Sequence, residues 1–132
     1  LVAAGQSADS QRRAALESAG CEVLVCPGAD RRERLAQLIC ELGRRRVTNL
    51  LVDGGGQLLG SLFDQQLVDE AHVFVAPKLV GGQSAPGPVA GQGAEAIPAL
   101  SSLELPRIEV LDDNVYIAGR ITRRTEGGGQ LT

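Results

Sequence analysis

Three consecutive glycines, Gly54–Gly56, separate two segments of different periodicity, and this feature constrains the fold more than any other. The segment before them, Val47–Val52, ends in an apolar run and predicts a buried strand. The segment after them, Gln57–Gln66, has the spacing of a helix. Glycine lets a chain turn sharply and leaves no Cβ between the backbone and a neighbour. A strand that ends on glycines and opens a helix predicts an α/β architecture.

The first half of the chain repeats this alternation of strand and helix. We predict strands at Leu1–Ala4 and Cys21–Cys26 and helices at Ala8–Ala19 and Arg31–Leu42. Asp9 or Ser10 is the expected cap of the first helix and Asp30 of the second, because short oxygen-bearing side chains satisfy the first free N–H groups. Gly20 and Gly43 are the expected helix stops. Strands that alternate with helices indicate a parallel sheet with right-handed crossovers.

The pattern changes after residue 69. We predict strands at Glu70–Ala76, Arg107–Leu111 and Val115–Arg123, with a loop rich in glycine and proline from residue 77 to 98. Asp112-Asp113-Asn114 is a good hairpin turn, so the last strands are expected to be antiparallel. The expected fold is therefore α/β, with a mostly parallel sheet and antiparallel C-terminal strands. Residues 1–123 form the domain, and residues 124–132 are an expected disordered tail.

Composition excludes several classes of function. The net charge is −3 and the only aromatic residues are Phe63, Phe74 and Tyr116, so we expect no nucleic-acid partner. No apolar run approaches the roughly 20 residues of a membrane span. Three cysteines without a CxxC pair, and a single histidine, predict no metal site. Reduced thiols indicate a cytoplasmic protein.

The residues alone leave two interpretations of the glycines open. The dinucleotide fingerprint GxGxxG and the phosphate loop ending in Gly-Lys-Ser/Thr are both absent, so a tight turn without a ligand is one interpretation. A phosphate site is the other, because open α/β sheets bind ligands at the carboxyl ends of their strands and helix N-termini favour anions. Asp53 stands at the tip of the predicted strand, where it could accept hydrogen bonds from a hydroxylated ligand.

Three linked motifs carry a family resemblance. They are Val52-Asp53-Gly-Gly-Gly-Gln-Leu58, then Leu67-Val-Asp-Glu70, then Ala76-Pro-Lys-Leu-Val-Gly-Gly82. In this order and spacing they resemble the C-terminal reductase domain of the bifunctional riboflavin-biosynthesis deaminase-reductase (RibD) family. The resemblance implies a dihydrofolate-reductase-like, three-layer α/β fold. It extends over most of the chain, from Leu1 to Ile121.

The resemblance also implies an activity and a site. It implies an NADPH-dependent reductase that converts 5-amino-6-(5-phosphoribosylamino)uracil to the 5-phosphoribitylamino product by hydride transfer to ribose C1. Asp53 is the implied substrate contact, and no catalytic side chain is implied. The family's domains associate through the C-terminal strands, which implies a homodimer. The implied cofactor-binding residues are Gly55, Gly56, Gln57, Leu58, Leu59, Gly60 and Ser61.

Two departures from the family pattern leave alternatives open. Asp53 replaces the family's usual glutamate, which shortens the carboxylate by one methylene. Leu1 matches a position inside the family's reductase domain, so we expect earlier strands of the domain to lie outside this chain. One alternative is therefore a non-catalytic nucleotide-binding or dimerisation remnant. Another is a related reductase that acts on a different heterocycle.

Three other features have structural interpretations. Arg44–Arg46 precede the predicted strand while the glycines follow it, a separation of about 20 Å, so they are expected to end a helix rather than bind cofactor phosphate. His72 is expected at the edge of the core or in an interface. The loop Gly81–Gly93 is expected to be either a mobile flap or plain surface.

Overall fold

The computed structural model describes residues 1–82, 85, 87–93 and 102–122. The chain divides into two compact units, Leu1–Asp53 and Gly54–Thr132. Each unit contains its own small sheet. The tail expected at residues 124–132 lies outside the described residues.

The first unit alternates strands and helices as the sequence predicts. Its elements are β1 (Val2–Gly5), α1 (Ser10–Ser18), β2 (Val23–Cys26) and α2 (Arg31–Arg44). The strands β1 and β2 are parallel, with Val2 opposite Val23 and Gly5 opposite Cys26. Cys26 and Leu35 are the buried apolar side chains of this unit. The parallel pair with an intervening helix confirms the expected crossover connection.

Local sequence signals predicted where both helices begin. The Asp9 carboxylate accepts a hydrogen bond from the Arg12 N–H at 2.9 Å. The Asp30 carboxylate accepts one from the Glu33 N–H at 2.8 Å. The Glu33 carboxylate in turn accepts the Ala29 N–H at 2.7 Å, one residue before the position that a capping box uses. These side chains satisfy N–H groups that the helices leave without partners.

The predicted stop of α2 is wrong. Gly43 lies inside the helix, and Arg46 takes the left-handed conformation that ends it, with φ of 63°. The Val47 N–H donates to the Leu42 carbonyl at 3.0 Å and the Arg46 N–H to the Gly43 carbonyl at 2.9 Å. This pair of bonds is the Schellman arrangement, which needs only one residue with positive φ and does not require glycine.

The strand predicted at Val47–Val52 is also wrong. The structure gives these residues no regular element, and the Leu51 side chain is 85% exposed. A strand needs a hydrogen-bonded neighbour. Among the described residues, β1 and β2 pair only with each other, so this segment has none. The parallel part of the described structure is therefore smaller than expected.

The second unit begins with a helix and ends in an antiparallel sheet. Its elements are α3 (Gly56–Asp64), β3 (Glu70–Val75), β4 (Leu103–Leu111) and β5 (Asn114–Ile121). The strand order is β3-β5-β4, and both pairings are antiparallel. The hairpin turn is confirmed, but Leu111 lies opposite Asn114, so the turn consists of Asp112 and Asp113 and the predicted third residue, Asn114, begins β5. None of the helices in the described part of the chain is long and apolar enough to cross a membrane.

Candidate functional site

The glycine turn, Gly54–Gly56, leads into α3, whose first residue is Gly56. Gly54 has φ of 92° and Gly55 has φ of 83°, values that other residues rarely adopt. No atom of the described residues lies within 4 Å of the position that a Gly54 Cβ would occupy, leaving aside its chain neighbours. At Gly55 the nearest such atom is the Leu58 Cβ, at 4.0 Å. The backbone of Gly54 and Gly55 is therefore exposed on the side where a side chain would otherwise lie.

The start of α3 is suited to an anion. Gly55 is the N-cap and offers no side-chain hydrogen bond, and the first turn of α3 contains no acidic residue. The N–H groups of Leu58 and Leu59 close the first turn on the Gly55 carbonyl at 2.8 and 3.0 Å. No carboxylate of α3 neutralises the positive end of the helix dipole, which favours negative charge.

The residues expected to line a cofactor fall within this turn and the first half of α3. Gln57 and Leu58 are exposed, Leu59 is half-buried and Gly60 is buried. The Ser61 hydroxyl donates to the Gln57 carbonyl at 2.8 Å, so its proton is engaged within the helix while its lone pairs can still accept. The structure brings these residues together on one short helix, and their binding role stays a prediction.

A segment that sequence reasoning did not assign to the site lies across α3. We call Gly87–Gly93 the strap. The Ala90 N–H donates to the Gly56 carbonyl at 2.9 Å. The Gln92 N–H donates to the Asp64 carboxylate at 3.0 Å. The strap is therefore hydrogen-bonded to the first and the last residue of the helix.

Two glycines of α3 allow the strap to approach. A Cβ at Gly60 would overlap the Ala90 carbonyl, and one at Gly56 would lie 2.9 Å from the Gly87 carbonyl oxygen. Neither alternative stated for the loop Gly81–Gly93 foresaw this packing. The available signal was Gly60 itself, because a glycine inside a helix costs about 1 kcal/mol relative to alanine and so indicates a close approach.

Asp53 is the last residue of the first unit, and it is exposed. Its predicted position at the tip of a buried parallel strand is wrong, because Val47–Val52 forms no strand. Its expected contact with a substrate stays a prediction.

Arg44 and Arg45 lie at the end of α2, as expected, and both also form ion pairs. The Arg45 guanidinium lies 2.6 Å from the Glu22 carboxylate and 3.0 Å from that of Glu41. Arg44 also reaches Glu41, at 3.5 Å. The hydrogen bonds from Arg45 lower the pKa of both glutamates below the ordinary carboxyl value. Arg45 thus connects the end of α2 to the residue just before β2.

His72 lies on an exposed face of the antiparallel sheet. Its Nδ1 is 2.7 Å from the Tyr116 hydroxyl on β5, and its Nε2 is 3.3 Å from the Glu70 carboxylate on β3. The Phe74 ring packs beside Tyr116 with 4.9 Å between ring centroids. The contacts with Tyr116 are cross-strand, whereas Glu70 and His72 are two residues apart on β3, and all four side chains share one face of the sheet.

Comparisons with known proteins add a family match. The family model described as the RibD C-terminal domain matches residues 1–117. Riboflavin biosynthesis protein RibD of Actinobacillus pleuropneumoniae is 33% identical over 116 residues, which cover 88% of this chain and 31% of that protein. The 2,5-diamino-6-ribosylamino-4(3H)-pyrimidinone 5′-phosphate reductase of Archaeoglobus fulgidus is 31% identical over 94 residues, covering 71% of this chain and 41% of that protein. The chain thus spans less than half the length of both curated relatives.

A solved structure shows the same fold. A pyrimidine reductase-like protein from Corynebacterium diphtheriae superposes with a TM-score of 0.67 at 22% sequence identity. The match covers 93% of this chain and 50% of that chain. The α/β layout with parallel strands first and antiparallel strands last agrees with the dihydrofolate-reductase-like fold expected from the sequence, which is thereby confirmed.

Proposed function

Since the chain belongs to the RibD C-terminal domain family, we propose that it is the reductase part of a riboflavin-biosynthesis enzyme. The observation that carries this proposal is the family match across residues 1–117. The names of the curated relatives, a riboflavin biosynthesis protein and a pyrimidinone phosphate reductase, support it. The reaction is the reduction of a ribosylamino side chain to a ribitylamino side chain by hydride transfer to ribose C1.

The proposed cofactor is NADPH, which supplies the hydride. The open backbone at Gly54 and Gly55 fits a phosphate-bearing group, because no side chain stands between these peptides and a ligand. Backbone N–H groups of Gly55 and Gly56 would hold its phosphates at the start of α3, which has no side-chain cap, and Gln57 would lie beside them. Leu58 and Leu59 would contribute apolar surface beside them, and Gly60 and Ser61 complete the proposed lining.

The chain's own residues bind and orient rather than attack. When the ribose ring of the substrate opens, C1 becomes an imine carbon. Its reduction takes a hydride from NADPH at C1 and a proton from water at the adjoining nitrogen, and requires no protein nucleophile, so the proposal assigns no catalytic side chain. Its residues instead hold donor and acceptor carbons at a near-attack separation of about 3–3.5 Å and exclude water. Asp53 is the proposed substrate contact, where its carboxylate would accept hydrogen bonds from ribose hydroxyls.

Two related substrates fit this chemistry. The first is 5-amino-6-(5-phosphoribosylamino)uracil, and the second is the 2,5-diamino-pyrimidinone analogue. The name of the Archaeoglobus fulgidus relative favours the second. The two heterocycles differ at ring carbon 2, which carries an oxygen in the uracil and an amino group in the pyrimidinone. Both present the same ribose C1 to the hydride.

Turnover with each substrate tests the proposal. We expect the purified protein to consume NADPH, measured as loss of its near-ultraviolet absorbance, with one of the two pyrimidines and not with the free ribose phosphate. NADPH binding without turnover of either pyrimidine would favour the alternative of a non-catalytic nucleotide-binding remnant. Failure to bind NADPH, measured by cofactor fluorescence and by the melting temperature, would contradict the reductase proposal.

A homodimer is part of the proposal. The family resemblance supports association through the C-terminal strands. In agreement, β4 is an edge strand of the described sheet, and its Val110 side chain is 75% exposed. Sedimentation equilibrium should give twice the 13.8 kDa of one chain. A mass of one chain at micromolar concentration would contradict the dimer without bearing on the reductase.

A further inference from the structure

Asp64 occupies an unfavourable position for an acid. It is the last residue of α3, where the negative end of the helix dipole repels a carboxylate. The carboxylate accepts the Gln92 N–H at 3.0 Å. Gly91 has φ of 107°, and a Cβ there would lie 2.6 Å from the same carboxylate oxygen. The contact between the strap and the end of α3 therefore requires both Gly91 and the carboxylate of Asp64.

The other anchor of the strap is the first peptide of α3. The Ala90 N–H donates to the Gly56 carbonyl, and the Ala90 carbonyl fills the space that a side chain at Gly60 would need. The strap thus spans a helix of nine residues, or about 13 Å, from one end to the other. The Gly56 peptide is the one that follows the two positive-φ glycines of the turn.

We propose that Asp64 is a positioning residue for the cofactor site, acting through Gln92 and the strap on the start of α3. This inference rests on the proposed function, because the site it supports is the proposed NADPH site. Glycines lose more conformational freedom on ordering than other residues, so a turn made of them needs support from outside to hold one geometry. The Ala90–Gly56 hydrogen bond gives that support. Asp64 in turn holds the strap, which contains Ala90, through its hydrogen bond to Gln92.

The position of Asp64 excludes direct contact with a phosphate bound at the glycine turn. It stands at the opposite end of α3 from the glycine turn, about 12 Å along the helix axis. A carboxylate at that distance does not contact a phosphate bound at the turn. The strap offers a route from Asp64 to the turn, because it is hydrogen-bonded to both ends of the helix.

The test compares two substitutions of Asp64 with a matched control. Asp64→Ala removes the acceptor, while Asp64→Asn keeps an amide oxygen that can accept the same Gln92 N–H. Glu17 is also an acid in the last turn of its helix, α1, and the structure shows no side-chain partner for it among the described residues. Glu17→Ala thus removes an acid from the unfavourable end of another helix without touching the strap. NADPH affinity is measured by fluorescence titration, and strap order by amide hydrogen exchange at Ala90 and Gln92.

We expect Asp64→Ala to speed amide exchange in the strap and to weaken NADPH binding by up to about 10-fold, because the Asp64–Gln92 hydrogen bond that orders the strap is lost. Asp64→Asn should retain most of the affinity, and Glu17→Ala should alter neither quantity. If Asp64→Ala does not fold, Gln92→Pro removes the donor N–H instead and decides the question.

The outcomes separate this inference from the proposed function. Faster strap exchange with unchanged NADPH affinity would show that Asp64 serves packing alone and would overturn the inference. Unchanged strap exchange in Asp64→Ala would overturn it as well. If the unsubstituted protein does not bind NADPH, the proposed function fails and the inference fails with it. If the unsubstituted protein and Asp64→Ala bind NADPH equally well, only the inference about Asp64 is overturned, and the proposed function stands.

Discussion

The backbone carbonyl of Ala90 occupies the space that a side chain at Gly60 would need. Gly60 is the fifth residue of a nine-residue helix, a position where glycine is unfavourable by about 1 kcal/mol relative to alanine. The close approach of the strap accounts for the glycine, because only a residue without a Cβ leaves room for the Ala90 peptide. Packing against a distant segment therefore outweighs helix propensity at this position.

Gly60→Ala should destabilise the protein. Overpacking against the fixed Ala90 backbone costs about 1–3 kcal/mol, more than the ~1 kcal/mol that alanine gains as a helix former. The matched control is Gly43→Ala, because Gly43 lies inside α2 with no atom of the described residues within 4 Å of its Cβ position. The control should stabilise by about 0.5–1 kcal/mol. Urea unfolding of both variants checks the prediction, and equal shifts of the two midpoints would contradict it.

Gly55→Ala should weaken NADPH binding beyond its effect on stability. Gly55 and Gly20 share φ of 83°, and both Cβ positions are free of close contacts, so alanine strains the backbone at either site. Only at Gly55 does the new methyl group stand where a phosphate is proposed to approach. We expect roughly a 10-fold rise in Kd, about 1.4 kcal/mol, for Gly55→Ala alone. Equal affinities of the two variants in fluorescence titrations would show that the glycines form only a turn.

Asp112→Gly should stabilise the β4–β5 hairpin. Asp112 is the first of the two turn residues and has φ of 51°, whereas Asp113 does not have positive φ. Two-residue hairpin loops with this pattern favour glycine at the first position. Because glycine adopts the left-handed conformation without strain, the substitution should raise the free energy of unfolding by about 0.5–1 kcal/mol. A higher melting temperature would show this gain. Asp113→Gly is the control and should lower the melting temperature, because it only adds freedom to the unfolded chain.

The ion pairs of Arg45 should make stability fall in acid. The folded-state pKa values of Glu22 and Glu41 are lowered by hydrogen bonds from Arg45. A carboxyl group whose pKa is lower in the folded state contributes stability above its unfolded-state pKa, and this contribution is lost as the pH falls through the folded-state value.

In Arg45→Gln the free energy of unfolding should therefore fall less steeply below about pH 5, because both glutamates return toward their ordinary pKa values. Urea midpoints at about pH 7 and pH 3 measure this change, with Arg12→Gln as a control whose side chain forms no ion pair among the described residues. Parallel pH profiles of Arg45→Gln and the unsubstituted protein would contradict the assignment.

Predictions from sequence succeeded where the physical cause is local. Asp9 and Asp30 cap their helices because an N-cap bond joins residues three apart, which the sequence displays directly. The Asp112-Asp113 turn was predicted for the same reason. The strand at Val47–Val52 was not formed, because a strand depends on a neighbour that local composition does not specify.

The sequence by itself determined the family, through three linked motifs, and the place where α3 begins, because only glycines adopt the backbone of Gly54 and Gly55 without strain. Only the tertiary structure decided that Asp64 receives the Gln92 N–H, 28 residues further along the chain. The periodicity of a helix or a strand does not predict such a contact. It forms only when the intervening chain folds back and brings the two residues together. Glycine thus has two uses here: Gly54 and Gly55 allow a turn that the sequence predicts, and Gly60 allows a packing contact that it does not.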